Sequence, residues 1–232
     1  MRKLPCMLLL FMLVLGKVSV GQSDYALWTR VTLGYKFGEK LQLDSEVQYR
    51  RQNLESNHLQ FNKPLLNSVR IWLHQDVSKN WQISLSPFAY FDHSQINLDA
   101  VDGVEHSKEI RISVAAIGRR KLTNYLQLFN RSALESRHLL ENKHFVLRAR
   151  NRLGLKYRFQ DNLSLQLSEE LLVNPIGKNW IDHNRLMASV DIHLNPKLKT
   201  ELGYLFIHRY KAKEDSFHKE QIAMINLHYS LR

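Results

Sequence analysis

The sequence predicts an all-β fold: an antiparallel transmembrane β-barrel of about 10–12 strands, with short periplasmic turns and longer extracellular loops. Three observations predict it. Hydropathy alternates with a period of two along the chain, tight connections alternate with long ones, and the amino terminus has the pattern of an export signal. A period of two is the strand period, because successive side chains leave a strand on opposite faces. "HFVLRARNRLGLKYRF" (144–159) carries it most clearly. There Arg148, Arg150, Arg152, Lys156 and Arg158 share one parity, while Phe145, Leu147, Ala149, Leu153, Leu155, Tyr157 and Phe159 share the other. At helical spacing the arginines would wrap around the axis and spoil any apolar stripe. The run also exceeds the usual strand of about 5–6 residues and suits a tilted membrane crossing of roughly 9–11.

The chain opens "MRKLPCMLLLFMLVLGKVSVGQ". Arg2 and Lys3 precede an apolar run, Met7–Leu15, and small residues then offer a cleavage point before Gln22. The apolar run is too short to span a bilayer as a helix, so residues 1–21 are expected to be a cleaved signal peptide and 22–232 the barrel domain. Cys6 lies before the apolar run, the wrong place for a lipoprotein signal. Cleavage would remove the only cysteine and leave 30 Lys+Arg against 22 Asp+Glu, with no disulfide or thiolate chemistry. No later run approaches the ~20 apolar residues of a helical span, so an exported chain of this kind would enter a membrane only as a barrel.

The elements follow in order. In "LWTRVTLGYKF" (27–37), Leu27, Val31, Leu33, Tyr35 and Phe37 oppose Arg30, Thr32 and Lys36. A turn at 38–40 leads to "LQLDSEVQYR" (41–50). "SVRIWLHQDV" (68–77) turns into "WQISLSPFAYF" (81–91), and "EIRISVAAIGRR" (109–120) into "YLQLFNRSALE" (125–135). The 144–159 strand passes into "LSLQLSEELLV" (163–173), then "RLMASVDIHL" (185–194) into "LKTELGYLFIHRY" (198–210), and "QIAMINLHYSL" (221–231) closes the chain. Turns at 38–40, 78–80, 121–124, 160–162 and 195–197 are tight and rich in turn-forming residues. Connections at 52–66, 92–108, 136–143, 174–184 and 211–219 are long and polar. This alternation is that of an outer-membrane barrel. A soluble barrel would put its apolar residues inside. Trp28, Tyr35, Phe37, Trp81, Phe91, Tyr157, Phe159, Tyr204 and Tyr210 lie near strand ends, where interfacial girdles sit. The count of strands is eleven. Single-chain bacterial barrels are even-stranded, so ten or twelve is the expectation.

With the apolar parity toward lipid, the other parity faces the lumen. Besides the 148–158 stripe, it places Arg30, Lys36, Arg50, Arg70, Arg111, Arg119, Arg131, Arg185, Lys199 and Arg209 inside. Asp44, Glu46, Asp76, Glu109, Glu135, Glu170, Asp191 and Glu201 accompany them. Bases outnumber acids, which leaves three readings: an interlocking plug of ion pairs, an anion-attracting pore, or rim contacts to lipopolysaccharide phosphates. Trp72, Phe88, Tyr90 and Phe129 on the same parity favour a filled or constricted lumen.

No enzyme is expected. The candidate stretches are "DHS" (92–94), "EHS" (105–107) and "HYS" (228–230); His228 and Ser230 would lie ~7 Å apart along one strand, beyond hydrogen-bond reach. His93, Asp99, Asp102, Glu105 and His106 share a loop but lack a calcium-loop or zinc-ligand spacing. No cofactor is implied. Export makes nucleic acid an unsuitable partner despite the positive charge.

The arrangement resembles the outer-membrane barrel family known as domain of unknown function 2490, common in Bacteroidota. "LWTRVTLGYKF", "LQLDSEVQYRRQ", "LRARNRLGLKYRF", "LSEELLVN", "NWIDHNRL" and "LGYLFIHRY" carry the resemblance. It implies a signal peptide and a barrel, with no activity and no functional residues to carry over. The end, "HYSLR", departs from barrels that finish on an aromatic residue. The expectation is therefore an outer-membrane barrel with a basic, constricted lumen, in contact with lipid and lipopolysaccharide and with small anions as solutes. The alternatives are a membrane-embedded lipid or lipopolysaccharide hydrolase and a soluble periplasmic β-protein.

Overall fold

A computed structural model describes residues 23–53, 61–96, 104–141, 143–176, 180–211 and 216–231. The expected signal peptide lies outside the described residues, as do Asp99 and Asp102. Eleven strands close into one barrel: β1 (Ser23–Lys36), β2 (Leu41–Gln52), β3 (Lys63–Asp76), β4 (Trp81–Ile96), β5 (Val104–Lys121), β6 (Leu126–Leu139), β7 (His144–Gln160), β8 (Leu163–Val173), β9 (Ile181–His193), β10 (Leu198–Lys211) and β11 (Ser216–Ser230). Ten neighbouring pairs are antiparallel. The last, β1 with β11, is parallel, from Ser23 opposite Lys219 to Gly34 opposite Ser230. Parallel closure is what an odd strand count requires, so eleven stands and the expected retreat to ten or twelve is corrected. A parallel ladder is slightly weaker per residue. Its inner wall is backed by an apolar cluster of Ala26, Trp28, Leu205, Ile207, Ile222 and Met224.

Turn chemistry holds the short connections. The Ser78 hydroxyl accepts from the backbone of Asn80 and Trp81, Thr123 from Tyr125 and Leu126, and the Asn195 carboxamide from Lys197 and Leu198. Gly38 adopts a φ of 86°, open to glycine at no steric cost. The strands run further than their sequence pattern indicated. β4 reaches Ile96 and β5 begins at Val104, which takes His93 and His106 out of the expected loop and onto the wall.

The wall is packed with polarity inverted. Val31, Val47, Ile83, Ile112, Leu134, Leu153, Leu167, Leu186 and Leu202 face outward and are exposed, whereas Ser84, Ser86, Glu109, Glu135, Ser189 and Asp191 are buried inside. Beyond the apolar zone, aromatics gather at both ends. Phe37, Trp81, Tyr125, Tyr157 and Tyr229 are exposed toward the short turns, and Tyr25, Tyr49, Phe145 and Trp180 toward the long connections. Two of the expected girdle residues belong elsewhere: Trp28 and Phe91 are buried in the lumen. The side chain of Tyr210 is outside the described residues.

β4 contains the main departure from strict alternation. Its register with β5 shifts between Ser86 and Ala89, and with β3 between Ile71 and Leu73. Pro87 sits in this bulge, where the missing N–H costs no ladder bond. One extra residue reverses the parity. Ser84 and Ser86 point inward before it, Ala89 and Phe91 after it, and Phe88 is turned out to the exterior with Tyr90. The expectation of Phe88 and Tyr90 inside is therefore corrected. Trp72 and Phe129 do face the lumen; Phe129 covers Gly154 so closely that a Cβ there would lie 2.4 Å from its ring.

Candidate functional site

The lumen contains a cavity of about 670 Å³ whose lining runs from Gln95, Ser107 and Arg209 near the long connections to His74, Lys199 and His228 near the short turns. Lining residues on β3 extend from Leu66 to His74, about 26 Å along the strand and about 20 Å of height at a barrel's usual tilt. The mean cross-section is then about 30 Å². Twelve of the lining residues are arginine or lysine and five are aspartate or glutamate.

Inward parity brings these groups together, and cross-strand register decides their partners. At the waist, Arg150 donates to Glu135 Oε1 at 2.8 Å and to Glu170 Oε1 at 2.7 and 3.1 Å, bridging β6 to β8. Glu135 is fully buried and also faces Arg70 at 3.7 Å and Arg111 at 3.9 Å. Arg185 approaches Glu170 at 3.3 Å. Toward the long connections, Glu109 accepts from Arg111, from Arg137 at 2.7 Å and from His93 at 2.8 Å. Asp182 meets Arg148 at 2.6 Å, and Arg209 meets Glu220 at 2.7 Å. Toward the short turns, Asp191 holds Lys156 at 2.6 Å and Lys199 at 3.1 Å. There Asp44 lies between His74 at 3.4 Å and His228 at 3.7 Å.

Three arginines are held differently. No carboxylate lies within 4 Å of Arg50, Arg131 or Arg152 among the described residues. The Arg50 guanidinium sits 3.6 Å above the Trp28 ring and donates to Gln48 at 2.7 Å. Arg131 lies 5.4 Å from the Trp72 ring, and Arg152 donates to Ser168 at 3.0 Å beside Phe129. Aromatic faces attract guanidinium, which accounts for the tryptophans on the inner wall.

The stripe at 148–158 is thus divided. Arg148, Arg150 and Arg152 line the cavity, and Lys156 is tied to Asp191. Arg158 is exposed at the short-turn rim, where it donates to the Asn124 carbonyl at 3.0 Å. Arg119, Asp76 and Lys36 also lie toward that end, outside the cavity lining. Sequence reasoning missed Arg137, Glu220 and Asp182. Arg137 continues the parity of Arg131 and Glu135, so a longer β6 would have found it. Asp182 had no such signal: it stands at a register shift between β8 and β9, which re-aims a residue of the wrong parity.

Of the histidines weighed for hydrolysis, His93 and His228 face the lumen, whereas His106 is exposed on the outer face, where its Nδ1 is 3.3 Å from the Ser94 hydroxyl. Ser230 is two positions beyond His228, and His228 turns to Asp44. His74 instead contacts the Ser84 hydroxyl at 2.7 Å and Asp44 at 3.4 Å.

Fold and lining together define a closed β-barrel with a charged interior and an apolar exterior. A family model described as "Protein of unknown function (DUF2490)" matches residues 25–218, and the chain belongs to that family. Among solved structures, the barrel is similar to the NanC porin in a rhombohedral crystal form, with a TM-score of 0.52 and 10% identity, over 90% of this chain and 100% of that one. It is also similar to the translocator domain of the autotransporter NalP from Neisseria meningitidis, with a TM-score of 0.47 and 15% identity, over 84% of this chain and 75% of that one. At these identities the likeness concerns the fold alone. No curated protein matches the chain.

Proposed function

We propose that the chain is an outer-membrane barrel whose lumen forms a narrow, anion-attracting passage. The observation that carries this reading is the elongated cavity along the lumen with its excess of basic lining residues. Fixed positive charge in a confined aqueous path favours anions over cations. The exterior supports the membrane setting. Tyr25 and Tyr35 mark the two aromatic ends of β1 ten residues apart, about 25 Å of height for a tilted strand. That is the height of the apolar band of an outer-membrane barrel. A water-soluble barrel would not expose such a belt, because monomers rarely leave apolar patches beyond a few hundred Å².

The Arg150 bridge supports a second reading, in which the waist is a closed structural plug. A hydrolase is less well supported. Ser84 has its hydroxyl beside His74 but is 1% exposed, so a substrate has no approach to it. The deciding measurement is the reversal potential of the purified barrel in planar bilayers under a potassium chloride gradient. Anion selectivity that falls on Arg50→Glu is expected. An intact, membrane-inserted barrel with no conductance would favour the plug, and cation selectivity would defeat the passage.

A further inference from the structure

We infer that the waist holds a binding site for a small solute oxyanion of the phosphate, sulfate or carboxylate class, formed by Arg70 and Arg131 against Trp72. The inference deepens the passage reading and rests on it for the route by which the anion arrives. Arg70 and Arg131 come from β3 and β6, both line the cavity, and both approach the same Trp72 ring, at 5.0 and 5.4 Å. Arg70 is 7% exposed, yet its Nε and Nη2 have no hydrogen-bond partner. Its nearest carboxylate oxygen, Glu135 Oε1, is 3.7 Å away and already accepts from Arg150 at 2.8 Å. Arg131 has neither a carboxylate within 4 Å nor a hydrogen bond among the described residues.

A guanidinium carries five N–H donors and no acceptor. The face of Trp72 attracts its charge but accepts none of the in-plane N–H bonds. What Arg131 lacks is an acceptor that is also a counter-charge, and what Arg70 lacks, with Glu135 at 3.7 Å, is an acceptor at hydrogen-bond distance. An oxyanion supplies both at once, because its paired oxygens match the guanidinium fork, whereas a halide supplies charge without that geometry. Arg111, Arg150 and Arg152 line the same cavity and add to the attraction. The site is inside the closed wall, so a lipid or lipopolysaccharide phosphate outside the barrel does not reach it. The ligand is a solute. The other arginine–tryptophan grouping, Arg50 and Arg185 over Trp28, is better satisfied, since Arg50 donates to Gln48 and Arg185 reaches Glu170.

The test uses the full barrel folded in detergent and needs no conductance. The temperature at which the compact gel species is lost is followed against sodium sulfate, inorganic phosphate and sodium chloride at matched ionic strength. A ligand that binds only the folded state raises that temperature as it saturates the site. Sulfate and phosphate are expected to raise it saturably over the millimolar range, and chloride not to. Arg131→Gln is expected to abolish the saturable part while leaving the value in chloride nearly unchanged, because no carboxylate loses its partner. That comparison also removes the general stabilising effect of sulfate on folded proteins. Should Arg131→Gln fail to fold, Arg131→Lys keeps the charge and loses the fork, and a several-fold weaker response is expected. An identical sulfate response in wild type and both variants, or none beyond chloride in the wild type, overturns the site. Anion-selective current without a sulfate response sinks the site and spares the passage; an Arg131-dependent response without current does the reverse.

Discussion

Arg150 and Arg131 face the same lumen from adjacent strands and carry the same charge, but their surroundings ask different things of them. Arg150 is the counter-charge to two buried carboxylates, Glu135 and Glu170, on either side of it. Removing one partner of a buried ion pair leaves the other charged and unpaired, which costs about 3–5 kcal/mol. Arg150→Met is therefore expected to lower the urea-unfolding free energy of the detergent-folded barrel by up to that amount, since Glu135 keeps only the longer contacts to Arg70 and Arg111 and Glu170 that to Arg185. Arg131→Met should change it by less than about 1 kcal/mol, because only a contact with Trp72 is lost. A near-neutral Arg150→Met would mean that the waist knot does not hold the barrel together. Selectivity should accordingly be tested at Arg50 or Arg131. Charge reversal at Arg148 or Arg150 breaks contacts to Asp182, Glu135 or Glu170 and confounds conduction with folding.

At the scale of the strand, backbone spacing decides what the side chains can do. β7 keeps Gly154 where its parity asks for a lumen residue, and Phe129 of β6 lies across the gap. A Cβ at 154 would come within 2.4 Å of the Phe129 ring, 2.6 Å of Ser168 Cβ and 2.7 Å of the Leu167 carbonyl. Phe129 Cζ lies on the ring's own rotation axis, so a ring flip does not relieve the first of these contacts, and the other two involve a short side chain and main chain. Overpacking of this kind costs about 1–3 kcal/mol. Gly154→Ala should destabilise the barrel in that range, and a double-mutant cycle with Phe129→Ala should recover part of the loss. Full additivity would show that the ring is not what excludes a side chain there. The bulge in β4 acts in the same register of scale: one inserted residue at Ser86–Ala89 exchanges Phe88 for Phe91 on the inner wall, and Phe91 then takes Arg111 at 3.7 Å from its ring.

At the scale of the whole molecule, the two faces of the wall make opposite demands on charge. Leu134 is 49% exposed near the middle of β6 on the outer face. In a bilayer, arginine at such a position costs about 2–4 kcal/mol at the midplane. On a water-facing wall it would change stability by no more than about 0.5 kcal/mol. Leu134→Arg should thus lower folding stability in liposomes by the larger figure, as measured by urea titration of tryptophan fluorescence. Loss within the smaller figure would overturn the membrane setting for this face. Closure itself is a property of the whole: among the described residues no strand has a free edge once β11 joins β1, so the wall presents no row of unpaired backbone groups to its surroundings.

The sequence by itself determined the class of fold, the inward parity of ten strands and the residues of the cationic stripe. Each of these is a local property, because alternation along a strand follows from the pleat alone. It was blind at three places where the pleat is interrupted or left behind. The β4 bulge inverted Phe88 and Phe91, the β8–β9 shift brought Asp182 inside, and the parallel seam made an odd count close. Tertiary structure alone decided which cations are spent on carboxylates and which are not. Arg150 meets Glu135 and Glu170 across 15 and 20 residues, and Lys156 meets Asp191 across 35, while Arg131, among the described residues, meets a tryptophan and no carboxylate. The physical reason is that a charge's partner is set by distance through the lumen, and distance through the lumen is fixed by register and closure, which no stretch of a single strand encodes.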